Sequence, residues 1–355
     1  SGNLESHYGY PRPFTSSPTE TELEDLHGTL REHWDGELPE VIDPTAGGGV
    51  IPFESLRYGL PTKANELNPV PSVMLKVMLE YAPEVGSLES ELEKWGEKIN
   101  ERAKENLEKY FPSAEPGQTP DSYVTTYSVE CSSCGSQIPL VPKWWVRTRK
   151  SADKVLAEPH VSEDGELSFS CHINPDVSQL DFNPNDGTVS RGGNVECINC
   201  SVVTESDTIK ERFKEGDFQY ETYCVRYHAR DGSYGFRAPT DEDHAGFKKA
   251  KEYIESDYEL STFLSLEIPD GKETSRTKRH GIDEWRDAFS PRQLLAHYEF
   301  LESVREYKPE IFSQHEEETA QAIVLLISLA TSKLIDRNSR LADWDTSKGY
   351  PSRVF

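Results

Sequence analysis

Apolar residues recur along this chain at two spacings, three to four positions apart in some stretches and in short near-continuous runs elsewhere, which predicts alternating helices and strands. Leu23, Leu26, Leu30 and Trp34 share one helical face behind a cap at Thr19 or Thr21. Val41-Ile42-Asp43 reads as a short strand that ends in a glycine cluster. A helix should follow through Phe53, Leu56 and Tyr58 to Gly59, then a second strand over Lys63 to Leu67, then helices over Pro71 to Tyr81 and Leu88 to Tyr110. Strand, glycine turn, helix, strand, helix is the order of a parallel sheet with helices packed on it.

From about Pro112 to Gly235 the pattern shifts to Ser, Thr, Asn, Gly, Val and aromatic residues, with strand-like runs at Tyr123 to Val129, Lys143 to Thr148 and Thr222 to Tyr227. This stretch reads as an inserted β-rich domain. Beyond Ala238 the helical period returns. Ser290 to Tyr307 opens with Ser-Pro, suited to a cap and a fixed first turn. In Glu316 to Leu334 the run Ala322 to Ala330 is apolar on all sides, which predicts burial. The first 20 residues, rich in Pro, Ser, Thr and Tyr, read as an extended arm.

Composition narrows the function classes. The 355 residues carry 63 Asp and Glu against 38 Lys and Arg, a formal charge of -25, so unspecific attraction to a phosphate backbone is not the default and any nucleic-acid contact needs a local patch. Because the acids are spread along the whole chain, they fit a surface adapted to high salt better than one acidic binding face. No apolar run approaches the roughly 20 residues that span a bilayer, and the N-terminus lacks a signal peptide's apolar core, so a cytoplasmic location without a membrane partner is expected.

Three positions carry chemistry. In Val41-Ile42-Asp43-Pro44-Thr45-Ala46-Gly47-Gly48-Gly49-Val50-Ile51-Pro52 a strand ends in an acid and a glycine loop feeds a helix, so a ligand can approach the backbone and the helix N-terminus. The third glycine of a dinucleotide fingerprint is missing and no Gly-Lys-Ser/Thr follows, which excludes support for a nicotinamide site or a P-loop. Glu66, 23 residues after Asp43, stands where a carboxylate at the end of a second strand accepts hydrogen bonds from a ribose diol. Cys131-Ser-Ser-Cys134 and Cys197-Ile-Asn-Cys200 have the spacing at which both thiolates of a pair reach one tetrahedral ion, so a structural zinc on Cys131, Cys134, Cys197 and Cys200 is expected. The 62 intervening residues exceed a compact ribbon and imply an insertion between two knuckles. Cys171-His172 with Cys224 and His228 form a looser set without a close thiol pair, and redox chemistry at either Cys-x-x-Cys is the competing reading.

The string Asp43 to Leu60 followed by Ala64-Asn65-Glu66-Leu67-Asn68-Pro69-Val70-Pro71 resembles motifs I and II of amino-group DNA methyltransferases. More specifically it is similar to the DUF1156 group of adenine-specific DNA methylases that carry a zinc ribbon. The resemblance extends over Gly187-Thr188-Val189 to Cys200 and Phe289-Ser290-Pro291-Arg292-Gln293-Leu294-Leu295, and covers the chain from about Leu38 to Leu341. It implies a partial Rossmann-like α/β core that binds S-adenosylmethionine through Asp43, Pro44, Thr45, Ala46, Gly47, Gly49, Glu66, Leu67 and Asn68. It also implies methyl transfer to the N6 amine of adenine in DNA.

One departure limits that expectation. Such enzymes use an Asn/Asp-Pro-Pro-Tyr/Phe loop to bind the target amine and stack the flipped base. No such tetrapeptide occurs; Asn68-Pro69-Val70, Asn174-Pro175-Asp176 and Asn183-Pro184-Asn185 come nearest. The catalytic residues therefore stay unassigned, and the chain reads as a fragment or split subunit whose loop a second protein chain supplies. The alternative is a non-catalytic subunit that binds cofactor, zinc and nucleic acid.

The expected division is an N-terminal arm and helix (1–30), the first half of the methyltransferase core (31–115), a zinc-ribbon-like β-rich insert (116–236) and a C-terminal helical segment returning to the core (237–355). Lys143-Trp144-Trp145-Val146-Arg147-Thr148-Arg149-Lys150 is the one marked basic and aromatic cluster, either a DNA contact or a strand with its Trp residues in the core. Arg276 to His280 with Arg286 and Arg292 form a second basic region.

Overall fold

The computed structural model describes residues 17–81, 88–278 and 280–352. Most of the expected arm, and Arg279 of the second basic region, lie outside them. The chain falls into two compact units, Ser1–Gly96 with Tyr307–Ser328 and Glu97–Glu306 with Leu329–Phe355.

In the first unit α1 (Glu20–His33) starts at a capping box, with the Glu22 carboxylate accepting the Thr19 N–H at 2.8 Å and the Thr19 hydroxyl accepting the Glu22 N–H at 3.3 Å. Its leucine face is half-buried, with Leu23, Leu26 and Leu30 partly covered and no residue of α1 fully buried, and Trp34 is 52% exposed as the C-cap. β1 (Val41–Asp43), α2 (Val50–Arg57) and β2 (Thr62–Ala64) form a β-α-β unit whose strands pair in parallel, Val41 beside Thr62 and Asp43 beside Ala64. α3 (Pro69–Lys76) follows an Asn68 cap and runs into a wider turn over Val77–Tyr81. α4 (Glu89–Leu107) begins in this unit and runs on past Gly96, ending in a short tight turn at Glu108–Tyr110 among the residues of the second. The buried Trp95 packs its ring 6.2 Å from Tyr307 and 6.4 Å from His315.

The second unit carries most of the β structure. β3 (Thr119–Glu130), β4 (Gln137–Pro139), β5 (Trp145–Arg147), β6 (Val155–Val161), β7 (Leu167–Ile173), β8 (Val195–Glu196) and β9 (Val203–Thr204) precede α5 (Ser206–Glu215), β10 (Gln219–His228) and β11 (Tyr234–Arg237). They form a four-stranded sheet in the order β11-β10-β3-β4, a three-stranded sheet β5-β6-β7 and the pair β8-β9, all antiparallel. The two larger sheets share a core of Val124, Val146, Leu156, Phe169, Tyr223 and Cys224. The helices are α6 (Asp241–Ser256), α7 (Tyr258–Thr262), α8 (Thr274–Lys278), α9 (Pro291–Gln314) and α10 (Glu317–Ser332), ahead of the pair β12 (Trp344–Asp345) and β13 (Tyr350–Pro351). α9 and α10 extend over the residues that the division assigns to the first unit. α10 buries Ala320, Ala322, Ile323 and Ile327 while Ala330 is exposed, so its apolar run hides one face and not its whole circumference.

The fold is therefore mixed α/β. Among the described residues parallel pairing is confined to β1 and β2, and that pair is all of the expected parallel core that they contain. Parallel strands are ordinarily covered on both faces. Here Ile42 is 65% and Leu67 95% exposed, and Val50, Ile51 and Phe53 are exposed as well.

Candidate metal centre and glycine loop

The two cysteine pairs sit at the tips of two hairpins built alike. In the first, Glu130 of β3 pairs with Gln137 of β4; in the second, Glu196 of β8 pairs with Val203 of β9. Each first cysteine takes its N–H to a carbonyl five residues on, Cys131 to Ser136 and Cys197 to Val202, both at 2.9 Å. Each cysteine carbonyl accepts from the residue four on, Gly135 and Ser201, again at 2.9 Å. Closing so tight a turn needs a left-handed residue there, and Gly135 (φ 76°) and Ser201 (φ 59°) supply it. The 62 residues between the pairs include the three-stranded sheet, so an insertion does separate the knuckles.

The four sulfurs converge. Cys131 and Cys200 are 3.6 Å apart, Cys134 and Cys197 3.7 Å, and all four lie within 4.8 Å of one another. A tetrahedral ion with Zn–S bonds of about 2.3 Å would set its sulfurs about 3.8 Å apart, the spacing the two close pairs already have, so the cluster could hold such an ion, and four sulfurs leave no open position for water. Cys131 and Cys197 are buried, against Val129, Ile138, Val195 and Ile209. The Ser136 hydroxyl, 3.5 Å from Cys134 Sγ, and the Ser136 N–H bring that thiol down to about 6, toward the thiolate a metal requires. Burial pushes the Cys197 thiol up to about 12, and a cation would offset that penalty. Asn199 Nδ2 bridges the site, donating to Ser136 Oγ at 2.9 Å and to Cys134 Sγ at 3.8 Å.

In the first unit the glycine loop and Glu66 meet. Glu66 lies just past β2, which ends at Ala64; its Oε2 accepts the Gly47 N–H at 2.8 Å and its Oε1 the Asn68 N–H at 3.0 Å. The Asn68 and Gly47 donors hold its carboxyl below the usual range. Asp43 is buried at the end of β1 and accepts the Thr45 N–H at 3.2 Å. Pro44, Thr45 and Gly48 are exposed, Ala46 and Gly49 buried, Gly47 half-buried, and Leu67 and Asn68 exposed. Gly49 (φ 80°) packs so closely that an added Cβ would lie 2.6 Å from Leu75 Cδ2, whereas a Cβ on Gly47 (φ 52°) would meet no protein atom within 4 Å. The outer side of the loop is open at Gly47.

The remaining candidates disperse. His172 Nε2 pairs with Glu158 at 2.7 Å and His228 Nε2 with Asp121 at 3.5 Å, while Cys171 and Cys224 face each other, so those four residues form no ligand cluster. Trp144 and Val146 are buried and Arg147 lies over Phe236 at 4.7 Å, so much of that basic and aromatic cluster builds core; Lys143, Arg149 and Lys150 are exposed. Arg292 is buried, stacked 4.0 Å over Tyr123 and donating to the Tyr110 carbonyl at 2.9 Å, which removes it from the expected basic surface. Lys278 is paired with Asp270 at 2.8 Å. Spacing did not foretell the knot at Asp243, which accepts from both nitrogens of the Arg237 fork, from Tyr123 Oη at 3.0 Å and from the Thr240 N–H at 2.8 Å; its one sequence signal was Thr-x-x-Asp ahead of a helix.

No described helix is long and apolar enough to cross a membrane. No family model, no curated protein and no solved structure matches the chain.

Proposed function

We propose that this chain is the cofactor- and zinc-binding portion of an S-adenosylmethionine-dependent methyltransferase acting on the N6 amine of adenine in DNA. The observation that carries the reading is the Glu66 carboxylate turned onto the Gly47 N–H across the loop between β1 and α2. A carboxylate offers about four lone-pair sites, so Glu66 can keep its two backbone bonds and still accept from a ribose diol. The open side of Gly47 would admit the nucleoside, and Asp43 and Thr45 would lie toward its methionine moiety. Zinc on Cys131, Cys134, Cys197 and Cys200 would hold two hairpin tips together and take no part in the transfer.

A second reading has its own support. In it the chain is a non-catalytic subunit that binds cofactor, zinc and nucleic acid and works with a partner chain, and the feature that favours it is that residues 1–355 contain no Asn/Asp-Pro-Pro-Tyr/Phe string. Calorimetric titration with S-adenosylmethionine tests what both share. Binding should be weakened by Glu66→Ala, which removes the ribose acceptor, and by Gly47→Val, which fills the open side of the loop. A wild-type chain that binds no cofactor, or equal affinity in all three proteins, would sink the cofactor site. Methylation of adenine in DNA once a second chain carrying an Asn/Asp-Pro-Pro-Tyr/Phe loop is added favours the first reading; cofactor and DNA binding with no methylation under the same conditions favours the other.

A further inference from the structure

Cys171 and Cys224 stand apart from the metal-binding quartet and from the glycine loop, and neither proposed activity uses them. Cys171 lies on β7, opposite Ala157 of β6, in the three-stranded sheet; Cys224 lies on β10, in the four-stranded sheet. Their sulfurs are 3.9 Å apart across the core that the two sheets share. The pairing of β10 with β3 slips between Thr222 and Cys224, where Tyr223 is the extra residue. Such a bulge re-aims side chains, and here Thr222, Tyr223, Cys224 and Val225 are buried in succession instead of alternating. Cys224 is 0% exposed, whereas Cys171 is half-buried, so Cys171 is the less enclosed of the two.

We propose that Cys171 and Cys224 form a reversible oxidation site, in which a peroxide oxidant converts the two thiols into a disulfide that ties the two sheets together. The Cys171 thiolate attacks one peroxide oxygen, the O–O bond breaks, and hydroxide leaves to become water with the thiol's proton. The resulting sulfenic acid is attacked by Cys224; the S–S bond forms and the hydroxyl departs as a second water with the Cys224 proton. Two thiols lose two electrons and one hydrogen peroxide gains them. The interaction with Cys224 lowers the Cys171 thiol and burial raises that of Cys224, an asymmetry that makes Cys171 the attacking group and Cys224 the resolving one. The sulfurs must approach by about 2 Å to reach a disulfide length of about 2.05 Å.

The test is limited hydrogen peroxide treatment of the full chain loaded with zinc, followed by intact mass, non-reducing peptide mapping and zinc content. Expected are a mass loss of about 2 Da that dithiothreitol reverses, a Cys171–Cys224 peptide, retained zinc and a melting temperature raised by about 5 °C or more through loop closure. In Cys171→Ser the rise should vanish and Cys224 should stay a free thiol. A Cys224 that remains alkylatable after unfolding once Cys171 has been oxidised would overturn the proposal. So would an equal rise in melting temperature in Cys171→Ser. The mapping is read on the wild-type chain and does not depend on whether a Cys224 variant folds.

Discussion

At the scale of single residues, burial decides charge states that composition does not reveal. His297 on α9 is buried, its ring 4.9 Å from that of Phe289, and Nε2 lies 2.9 Å from the Asn338 carbonyl. The neutral ring with hydrogen on Nε2 makes that bond. Burial holds the imidazole below its ordinary value of about 6.5, despite the carbonyl's opposing pull. A depressed folded value means that its contribution to stability is complete above the unfolded value and is lost as pH falls through the folded one. Urea midpoints should therefore decline more steeply below about pH 6.5 in the wild type than in His297→Gln, which keeps a donor but cannot gain a proton. Parallel declines would refute the assignment.

At the scale of elements, what was legible from the sequence is what local chemistry alone determines. Val41-Ile42-Asp43 formed its strand, the glycine cluster its turn, and the two Cys-x-x-Cys spacings their knuckles, because each depends on residues a few positions apart. The α1 leucine stripe is the half-buried face of its helix, with Leu23, Leu26 and Leu30 partly covered and no residue fully buried, because a three-to-four spacing sets a face but not how deeply it is covered. β8 and β9 span two residues each, too short for any period, and only the pairing around Cys197 and Cys200 reveals them. Ser201 stayed hidden for the opposite reason, since nothing in its identity announces a left-handed backbone. Its equivalence with Gly135 leads to a prediction. A left-handed non-glycine residue costs about 1–2 kcal/mol, partly offset by glycine's greater freedom in the unfolded chain, so Ser201→Gly should stabilise the zinc-loaded chain by about 1 kcal/mol in denaturant titration. Chelation should destabilise this part of the chain first, seen as earlier loss of amide protection at Cys131–Ser136 and Cys197–Val202 than in the remaining strands. A chelated, verifiably metal-free chain with unchanged protection there would show that the four thiols hold nothing.

At the scale of the whole molecule, Tyr307–Ser328 joins a segment more than two hundred positions earlier, at bounds that no local pattern marks. The charge was visible, and it makes a prediction that opposes the ion pairs. Contacts such as Lys63–Glu40 and Arg102–Glu306, both at 2.9 Å, lie between partly exposed side chains and are worth little each, less as salt rises. Against them stands repulsion within a chain of net charge -25, which acts in the folded state over distances that salt shortens from about 10 Å at 0.1 M to about 3 Å at 1 M. With 63 acidic groups for 38 basic ones, relief of repulsion outweighs the loss of pairs. The melting temperature should rise between 0.1 and 2 M KCl, and the increment should shrink as pH is lowered toward the carboxylate range and the acids are neutralised. Sucrose of equal osmolality separates this from preferential exclusion, because its effect carries no such pH dependence. A melting temperature that falls or stays level with salt at neutral pH would mean that the surface pairs, and not the excess carboxylates, govern the folded state.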